Sequence, residues 1–432
     1  MKLSYKRTIL IGMAFLSICV FWQFYDNEIP KILTYTFGLG ETWTGVIMAL
    51  DNVLALFMLP FFGTLSDKVD TKIGKRMPFI LGGTICSTIL LFLLITVGNV
   101  PGRLALFVGI LLLLLIAMGT YRSPAVSLMP DLTPAPLRSK ANAVINLMGA
   151  IGAVYALIMI KVLLHTADDQ SQTDYFPLML SIVIFMLVAV AVLFFTVNEK
   201  KIAAQVKEEN KEFETEEEET SNSTVRTPMP KDVKRSMIFL LLSVFFWFTA
   251  YNAVTTAFSR YVGEVWHLYD GAYADCLMVA TVAAIISYIP IGSIASRIGR
   301  KKTIMTGVCL MVICYLVAAL MPTYQGWLNA LFAVIGFGWA AINVNSYPMV
   351  VEMSSKGEIG KFTGMYYTFS MAAQVFTPIA SGFLLEHISY RTLFPYAVVF
   401  TVMAFITMSQ VRHGDSKPIP KKSVLERLDV DE

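Results

Sequence analysis

Three charged side chains stand inside long apolar stretches of the chain: Asp26, Asp51 and Arg122. A charge within a hydrocarbon layer costs about 2.5–3.5 kcal/mol on insertion scales, so each is a candidate functional residue. Counted from the outer ends of their stretches at about 1.5 Å per residue, Asp26 lies roughly 12 Å deep and Asp51 roughly 13–14 Å deep. Two carboxylates at one depth, away from water, favour protonated forms. The pair is therefore a candidate proton-coupling site.

Arg122 lies roughly 13 Å from the inner end of its own stretch. A permanently charged guanidinium at that depth needs a carboxylate or ligand hydroxyl groups as partners. If Arg122 pairs with an acid in the empty site, and with ligand oxygens once the acid is protonated, the binding of proton and ligand is coupled. Structural roles stay open: Asp26 as the mark of a helix end, Asp51 as a hydrogen-bond acceptor and Arg122 as a packing charge.

Amide and aromatic side chains recur at helical spacing in several apolar stretches. Amides offer donors and acceptors to hydroxyl groups, while flat rings suit the C–H faces of a sugar. The alternative is helix–helix hydrogen bonding by the amides and packing by the rings. The candidate substrate-binding residues, besides Arg122, are Gln23, Asn27, Tyr121, Asn146, Trp247, Tyr251, Asn252, Trp339, Asn343, Asn345 and Gln374.

The elements that position these side chains are membrane helices. Of the 432 residues, 56% are hydrophobic and 15% charged, which is too apolar for a soluble fold of this size. Windows of about 20 apolar residues predict twelve transmembrane helices in an all-α membrane protein. The net charge of +3 indicates no nucleic-acid partner. The five cysteines lie within apolar runs without metal-ligand spacing, so we expect no metal and no cofactor.

One long polar, acidic insert divides the helices into six and six. It predicts an N-terminal bundle over 1–197, a cytoplasmic linker over 198–235, a C-terminal bundle over 236–413 and a cytoplasmic tail over 414–432. Basic residues concentrate in alternate loops, which places both termini in the cytoplasm and the protein in the cytoplasmic membrane. We expect a monomer surrounded by the lipid bilayer.

The two halves share sequence features, which indicates a structural repeat. Aligning Pro124 with Pro348 places Tyr121 and Arg122 opposite Asn345 and Ser346. A repeat of this kind arranges equivalent residues around one central cavity. The bundles are therefore expected to be pseudo-symmetric.

Each half also carries a basic hairpin between its second and third spans. The first lies within Leu59–Gly83 and the second within Pro290–Lys302, where Ser296 replaces the acid found at Asp67. We expect Asp67 to pair with Arg138 or Lys140 and with the N-terminal end of the helix that begins near Lys361. The candidate gating residues are Gly63, Asp67, Gly74, Lys75, Arg76, Asp131, Arg138, Arg297, Gly299 and Arg300.

Twelve spans as six plus six, with hairpins of the pattern G-x-x-x-D-(x)n-G-[KR]-[KR], resemble the major facilitator superfamily over the whole chain. The longer hairpin that ends at Gly74-Lys-Arg-Met-Pro resembles the glycoside–pentoside–hexuronide carriers and the related sucrose/proton symporters. Arg122, with Asp131 nine residues later, resembles the arginine and acid in the fourth span of the sucrose carriers. The resemblance implies two bundles that work by alternating access.

The leading hypothesis is a proton-coupled symporter whose partners are a proton and a sugar or glycoside, in particular a disaccharide. A sodium-coupled sugar symporter is the first alternative. A resemblance to the melibiose-type carriers would imply two acids one turn apart in the second span. Here Ala55 and Leu59 follow Asp51 at that spacing, which argues for protons. A drug or metabolite exporter of the same fold, and a non-transporting sugar sensor, are further alternatives. An enzyme is not expected, because no nucleophile–base pair, metal cluster or phosphate loop has the required spacing.

Overall fold

The computed structural model describes most of the chain. The described residues are 3–98, 100–134, 137–165, 170–218, 230–269, 271–353 and 359–415. The tail predicted over 414–432 lies outside the described residues from position 416 onward.

Helices make up both halves of the described chain. In the first half they are α1 (Tyr5–Lys31), α2 (Glu41–Lys68), α3 (Met77–Gly98), α4 (Leu104–Asp131), α5 (Arg138–Leu163), α6 (Phe176–Thr196) and α7 (Glu199–Glu218). In the second half they are α8 (Lys231–Trp266), α9 (Tyr273–Ile298), α10 (Arg300–Leu320), α11 (Leu328–Met353), α12 (Ile359–His387) and α13 (Leu393–Ser409). A π-helical segment, Ile32–Thr36, continues α1, and short 3₁₀ turns precede α6 and α13.

Length and composition suit most of these helices to a membrane. Within the described ranges, eleven are long and apolar enough to cross one, and α9 carries a shorter apolar stretch, Tyr273–Tyr288. Helices are favoured there because each satisfies its own backbone hydrogen bonds where water is absent. The prediction of a multi-pass all-α membrane protein is confirmed, and the count is close to the predicted twelve.

The chain divides into two compact units. The first contains residues 1–39 and 50–222, and the second contains residues 40–49 and 223–432. In the first unit α1 packs against α5 and α6, while α3 packs against α4 and α6. In the second unit α8 packs against α12 and α13, while α10 packs against α11 and α13. The same pairs of helices therefore meet in both units, as expected for a repeated bundle.

Small residues set the closest helix contacts. A Cβ atom at Gly152 of α5 would lie 2.5 Å from the Leu16 carbonyl oxygen of α1, so only glycine permits this crossing. The backbones of Gly307 in α10 and Gly338 in α11 approach each other in the same way. These crossings hold α1 and α11, which carry candidate site residues, close to their neighbours.

The start of the predicted linker is a packed part of the first unit. Residues 199–218 form α7, and both Glu199 and Val206 are buried. The segment that follows, 219–229, lies outside the described residues. The polar insert therefore begins with a helix that contacts the bundle.

Candidate functional site

The inner face of α1 presents polar and aromatic side chains around Asp26. Trp22, Tyr25 and Asp26 lie on one face of the helix because residues three or four apart are neighbours there. The Trp22 and Tyr25 rings meet edge to face with centroids 5.3 Å apart. Pro30 has no N–H, so the helical hydrogen bond to the Asp26 carbonyl cannot form. The helix is thus locally weakened beside its intramembrane acid.

A cleft between α1, α2 and α4 brings together residues that the sequence separates by about a hundred positions. Trp22, Asp51 and Arg122 line it, and the Arg122 Cζ atom lies 5.2 Å from the centre of the Trp22 ring. The remaining lining is apolar or small: Leu54, Ala55, Met58, Leu59, Leu115 and Gly119.

The three predicted charges interact electrostatically. Asp26 lies within electrostatic range of both Asp51 and Arg122, and Asp51 lies within range of Arg122. The Asn52 amide donates a hydrogen bond of 2.7 Å to the Asp51 carboxylate. Within the part of the chain that the structure describes, neither carboxylate forms a direct salt bridge with Arg122. The guanidinium instead faces Trp22, which leaves both acids available for protonation.

Two buried donors of α1 lie near Asp26: one on Trp22, which lines the cleft, and one on Tyr25, which does not. The Trp22 indole N–H and the Tyr25 hydroxyl are buried and have no hydrogen-bond partner among the described residues. Tyr25 lies within electrostatic range of Asp26 and Asp51. Buried donors without partners are uncommon, and a bound ligand or water can satisfy them. The sequence analysis did not predict either residue as a ligand contact, although their spacing from Asp26 was a usable signal.

Other candidates on α1 serve the helix itself. Asn27 is buried, and its amide donates to the Gln23 backbone carbonyl at 2.8 Å. Gln23 is half-buried. One turn further, Glu28 and Lys31 form a buried ion pair of 3.3 Å. The assignment of Gln23 and Asn27 to the ligand therefore stays a prediction, without a contact to the cleft in this structure.

Tyr121 and Asn146 are not brought to the cleft. Tyr121 is fully buried, and its side chain packs against Gly83 of α3. Its hydroxyl has no hydrogen-bond partner among the described residues. This environment is typical of helix packing. Asn146 is half-buried on α5. Arg122 thus contributes to the cleft, whereas its neighbour Tyr121 contributes to the contacts between helices.

The second unit contains an aromatic pair of its own. Tyr251 of α8 stacks on Trp339 of α11, with ring centroids 3.7 Å apart and planes at 3°. Asn252 is half-buried, and its amide nitrogen has no partner among the residues described. Asn343 is half-buried one turn from Trp339. The ligand-contact role of this set stays a prediction.

The remaining predicted residues of the second unit satisfy neighbouring groups or lie in the core. The Asn345 amide donates to the Ala341 carbonyl at 2.9 Å, and the Gln374 amide donates to the Ser370 carbonyl at 3.4 Å. Trp247 is fully buried in α8. These two hydrogen bonds and the burial of Trp247 agree with the packing alternative as well as with a ligand role.

The predicted gating residues of the first hairpin form one charge network. Arg76 is buried and donates from Nε to Asp131 at 2.9 Å, while its other nitrogens contact Asp67 and the Gly63 carbonyl. Lys75 adds an ion pair of 3.0 Å to Asp131. Asp67 thus pairs with Arg76 and Lys75; the side chains of its expected partners, Arg138 and Lys140, lie outside the described residues.

A buried acid from α7 joins this hairpin, which the sequence analysis missed. The Glu199 carboxylate accepts hydrogen bonds from the backbone N–H groups of Lys75, Arg76 and Met77 at 2.8–3.2 Å. It therefore caps the N-terminus of α3, where anions are favoured. Gly74 precedes the cap with φ +122°, and a Cβ atom there would collide with Glu199.

The second hairpin has a simpler arrangement. Arg300 pairs with Glu352 at 2.5 Å, and the Asp415 carboxylate accepts from the Lys301 backbone N–H at 2.7 Å. Gly299 has φ +95° beside Asp415. Arg297 is exposed. The arrangement repeats the cap but not the larger charge network of the first hairpin.

Comparison with known proteins assigns the family. The family model described as "MFS/sugar transport protein" matches residues 10–409, so the chain belongs to this family of the major facilitator superfamily. The resemblance to this superfamily is confirmed, as is the prediction of a transporter rather than an enzyme.

Curated relatives are distant. The isoprimeverose transporter of Lactiplantibacillus pentosus is 22% identical over 66% of this chain and 58% of the relative. The general alpha-glucoside permease of Schizosaccharomyces pombe is 26% identical over 53% of this chain and 43% of the relative. The sucrose transport protein SUC3 of Arabidopsis thaliana is 29% identical over 28% of this chain and 23% of the relative. The alignments thus span less than two thirds of these relatives.

Solved structures support the fold. The nucleoside transporter NupG superposes with a TM-score of 0.64 at 15% identity, covering 95% of this chain and 100% of that chain. A bacterial homologue of the iron transporter ferroportin, in an inward-facing state, superposes with a TM-score of 0.66 at 12% identity, covering 95% and 99%. At these identities the likeness concerns the fold alone.

Proposed function

We propose that the protein is a proton-coupled symporter for a sugar or glycoside, in particular a disaccharide, in the cytoplasmic membrane. The observation that carries the proposal is the cleft in which Asp51 and Arg122 face Trp22, with Asp26 in electrostatic range. The names of the relatives, which refer to isoprimeverose, alpha-glucosides and sucrose, support a sugar as the cargo. Protein orientation, with both termini in the cytoplasm, follows from the basic loops.

Coupling follows from the sharing of Arg122 between acid and ligand. With both acids ionised, the guanidinium is attracted to them across the cleft. Protonation of one acid weakens that attraction and releases guanidinium donors for sugar oxygens. The loaded site is then less charged, which favours the reorientation of the two bundles, 1–197 and 236–413, around the linker over 198–235. Return of the empty carrier requires that the proton has left.

A proton fits this cleft better than a sodium ion. The α2 residues that line it beyond Asp51 are Leu54, Ala55, Met58 and Leu59, none of which carries a side-chain oxygen. Hard metal cations are held by several oxygen ligands together. A carboxyl group alone can accept a proton. The unpartnered donors of Trp22 and Tyr25 likewise favour an oxygen-bearing ligand over the apolar compound that a drug exporter would take.

The test is Asp51→Asn, which keeps the shape of the side chain and removes its proton. We expect loss of concentrative uptake into vesicles, at least tenfold, because proton binding no longer drives the cycle. Exchange of preloaded sugar should continue, since it requires no net proton movement. Asp51→Glu is the matched control and should retain part of the uptake. Normal concentrative uptake by Asp51→Asn would contradict the assignment.

A further inference from the structure

Resting on the proposed function, we infer that the cargo is an uncharged sugar, and that sugars carrying a carboxylate are rejected by the charge balance of Asp26, Asp51 and Arg122. The glycoside and the uronide of one sugar differ at one carbon, which carries a hydroxyl group in the first and a carboxylate in the second. A site that separates the two therefore does so mainly by charge.

The charges around the cleft can be counted. Its lining contains one acid, Asp51, and one base, Arg122, and Asp26 lies in electrostatic range of both. The next charges along α1, Glu28 and Lys31, neutralise each other in their own ion pair. With both acids ionised the set carries one negative charge. A single proton brings it to neutrality.

An ionised sugar upsets this balance. Its carboxylate would return the protonated site to a net charge of −1 within an environment lined by leucine, methionine and alanine. Like charges brought together in such a site are disfavoured, and this repulsion is a common source of specificity. Arg122 cannot offset the added charge, because the remaining ionised acid already balances the guanidinium. A second proton would be needed for each uronide.

An uncharged sugar satisfies a donor that lacks a partner. The Trp22 indole N–H, on a residue that lines the cleft, has no partner among the described residues, and sugar oxygens are acceptors. The Trp22 ring borders the cleft and offers a flat apolar surface for sugar C–H groups. These contacts require no ligand charge. One positive charge then crosses the membrane with each neutral sugar and its proton.

The experiment uses the full-length protein in liposomes and matched pairs of sugars. The pairs are glucose disaccharides and the methyl glucosides and methyl galactosides of both anomers, each tested against its own uronide at neutral pH, where the uronide is ionised. We expect acidification and an inward positive current with at least one neutral glycoside. The matching uronide should give at least tenfold less uptake. At equal concentration it should not inhibit uptake of the neutral glycoside.

Asp26→Asn provides the second arm, measured by ligand-induced thermal stabilisation and therefore independent of turnover. Once Asp51 is protonated, removal of Asp26 leaves Arg122 as the one charge of the three, so a uronide anion then brings the set to neutrality. The variant should therefore raise affinity for the uronide at least tenfold relative to the glycoside. The control is Asp174→Asn, which removes an exposed acid that precedes α6. This control should leave the ratio of uronide affinity to glycoside affinity unchanged.

The outcomes separate the two proposals. Equal uptake of glycoside and uronide, electroneutral uptake of a uronide, or an unchanged ratio in Asp26→Asn would each overturn this inference and leave proton-coupled sugar transport standing. If no sugar of either kind moves protons through the wild-type protein, the proposed function itself fails, and the inference with it.

Discussion

The two basic hairpins share a backbone design and differ in their charges. Each has a glycine with positive φ before the third helix of its half: Gly74 lies three residues before α3, and Gly299 directly precedes α10. In each half, a carboxylate accepts a backbone hydrogen bond at the start of that third helix. Glu199, which follows α6, does so in the first hairpin, and Asp415, which follows α13, does so in the second. The common elements therefore solve a common problem, the unsatisfied N-terminus of a helix.

The side-chain charges are unequal. Arg76 is buried and shared between Asp67, Asp131 and the Gly63 carbonyl. Arg300 is half-buried and pairs with Glu352. Several partners around one guanidinium can be exchanged in a conformational change, whereas a single pair mainly anchors two helices. We propose that the first hairpin carries more of the gating, as the replacement of Asp67 by Ser296 in the second predicts.

The largest expected effect comes from Arg76→Ala, compared with Arg300→Ala. Loss of Arg76 removes the buried partner of Asp67 and Asp131 and leaves them Lys75. It should lower stability by about 2 kcal/mol, since these acids are partly exposed. Transport should fall at least tenfold. Arg300→Ala should reduce transport less than threefold. Transport in liposomes and melting temperature in detergent are the measurements. Equal losses in both variants would remove the proposed asymmetry.

The capping carboxylates should instead behave alike. Glu199→Ala removes the acceptor for the N-terminus of α3, and Asp415→Ala removes the one for α10. Each should cost about 1 kcal/mol, the usual cost of losing a helix cap. Glu199→Gln should retain part of the stability, because an amide oxygen also accepts. A clear loss in the first hairpin with none in the second would show that the caps are not equivalent.

The smallest effects concern the lysines and are separated by salt. Lys75 contributes half-exposed ion pairs, so Lys75→Gln should cost about 0.5 kcal/mol at low salt and less at 1 M salt. Lys301 donates to the Ser409 and Val411 carbonyls. The effect of Lys301→Gln should therefore persist at high salt. Melting curves at two salt concentrations decide the matter, and an identical salt response would contradict this distinction.

Sequence reasoning predicted the fold because long apolar runs separated by charged loops leave few alternatives in a membrane. It also predicted that Asp26 and Asp51 lie at one depth, since helical rise converts position into depth. That Trp22, Asp51 and Arg122 line one cleft depends on which helices pack together. That information comes from the repeat and not from local composition.

The caps and the aromatic side of the cleft could not be predicted in the same way. Glu199 lies 122–124 residues from the backbone N–H groups that donate to it. In addition, the insert that contains Glu199 has the composition of a solvated linker. Trp22 and Tyr25 have the spacing of ordinary packing residues, and only the three-dimensional structure shows their unpartnered donors. Tyr121 shows the converse, because its position beside Arg122 suggested a ligand role, whereas its side chain is fully buried against Gly83 of α3. That role stays a prediction.

The most direct test of the account is proton movement driven by sugar. Purified protein in liposomes with an internal pH dye would be challenged, without sodium, with mono- and disaccharides. The account predicts acidification of the interior that depends on the sugar and is absent in Asp51→Asn. Uptake of sugar without acidification, or uptake only after sodium is added, would contradict proton coupling through this cleft.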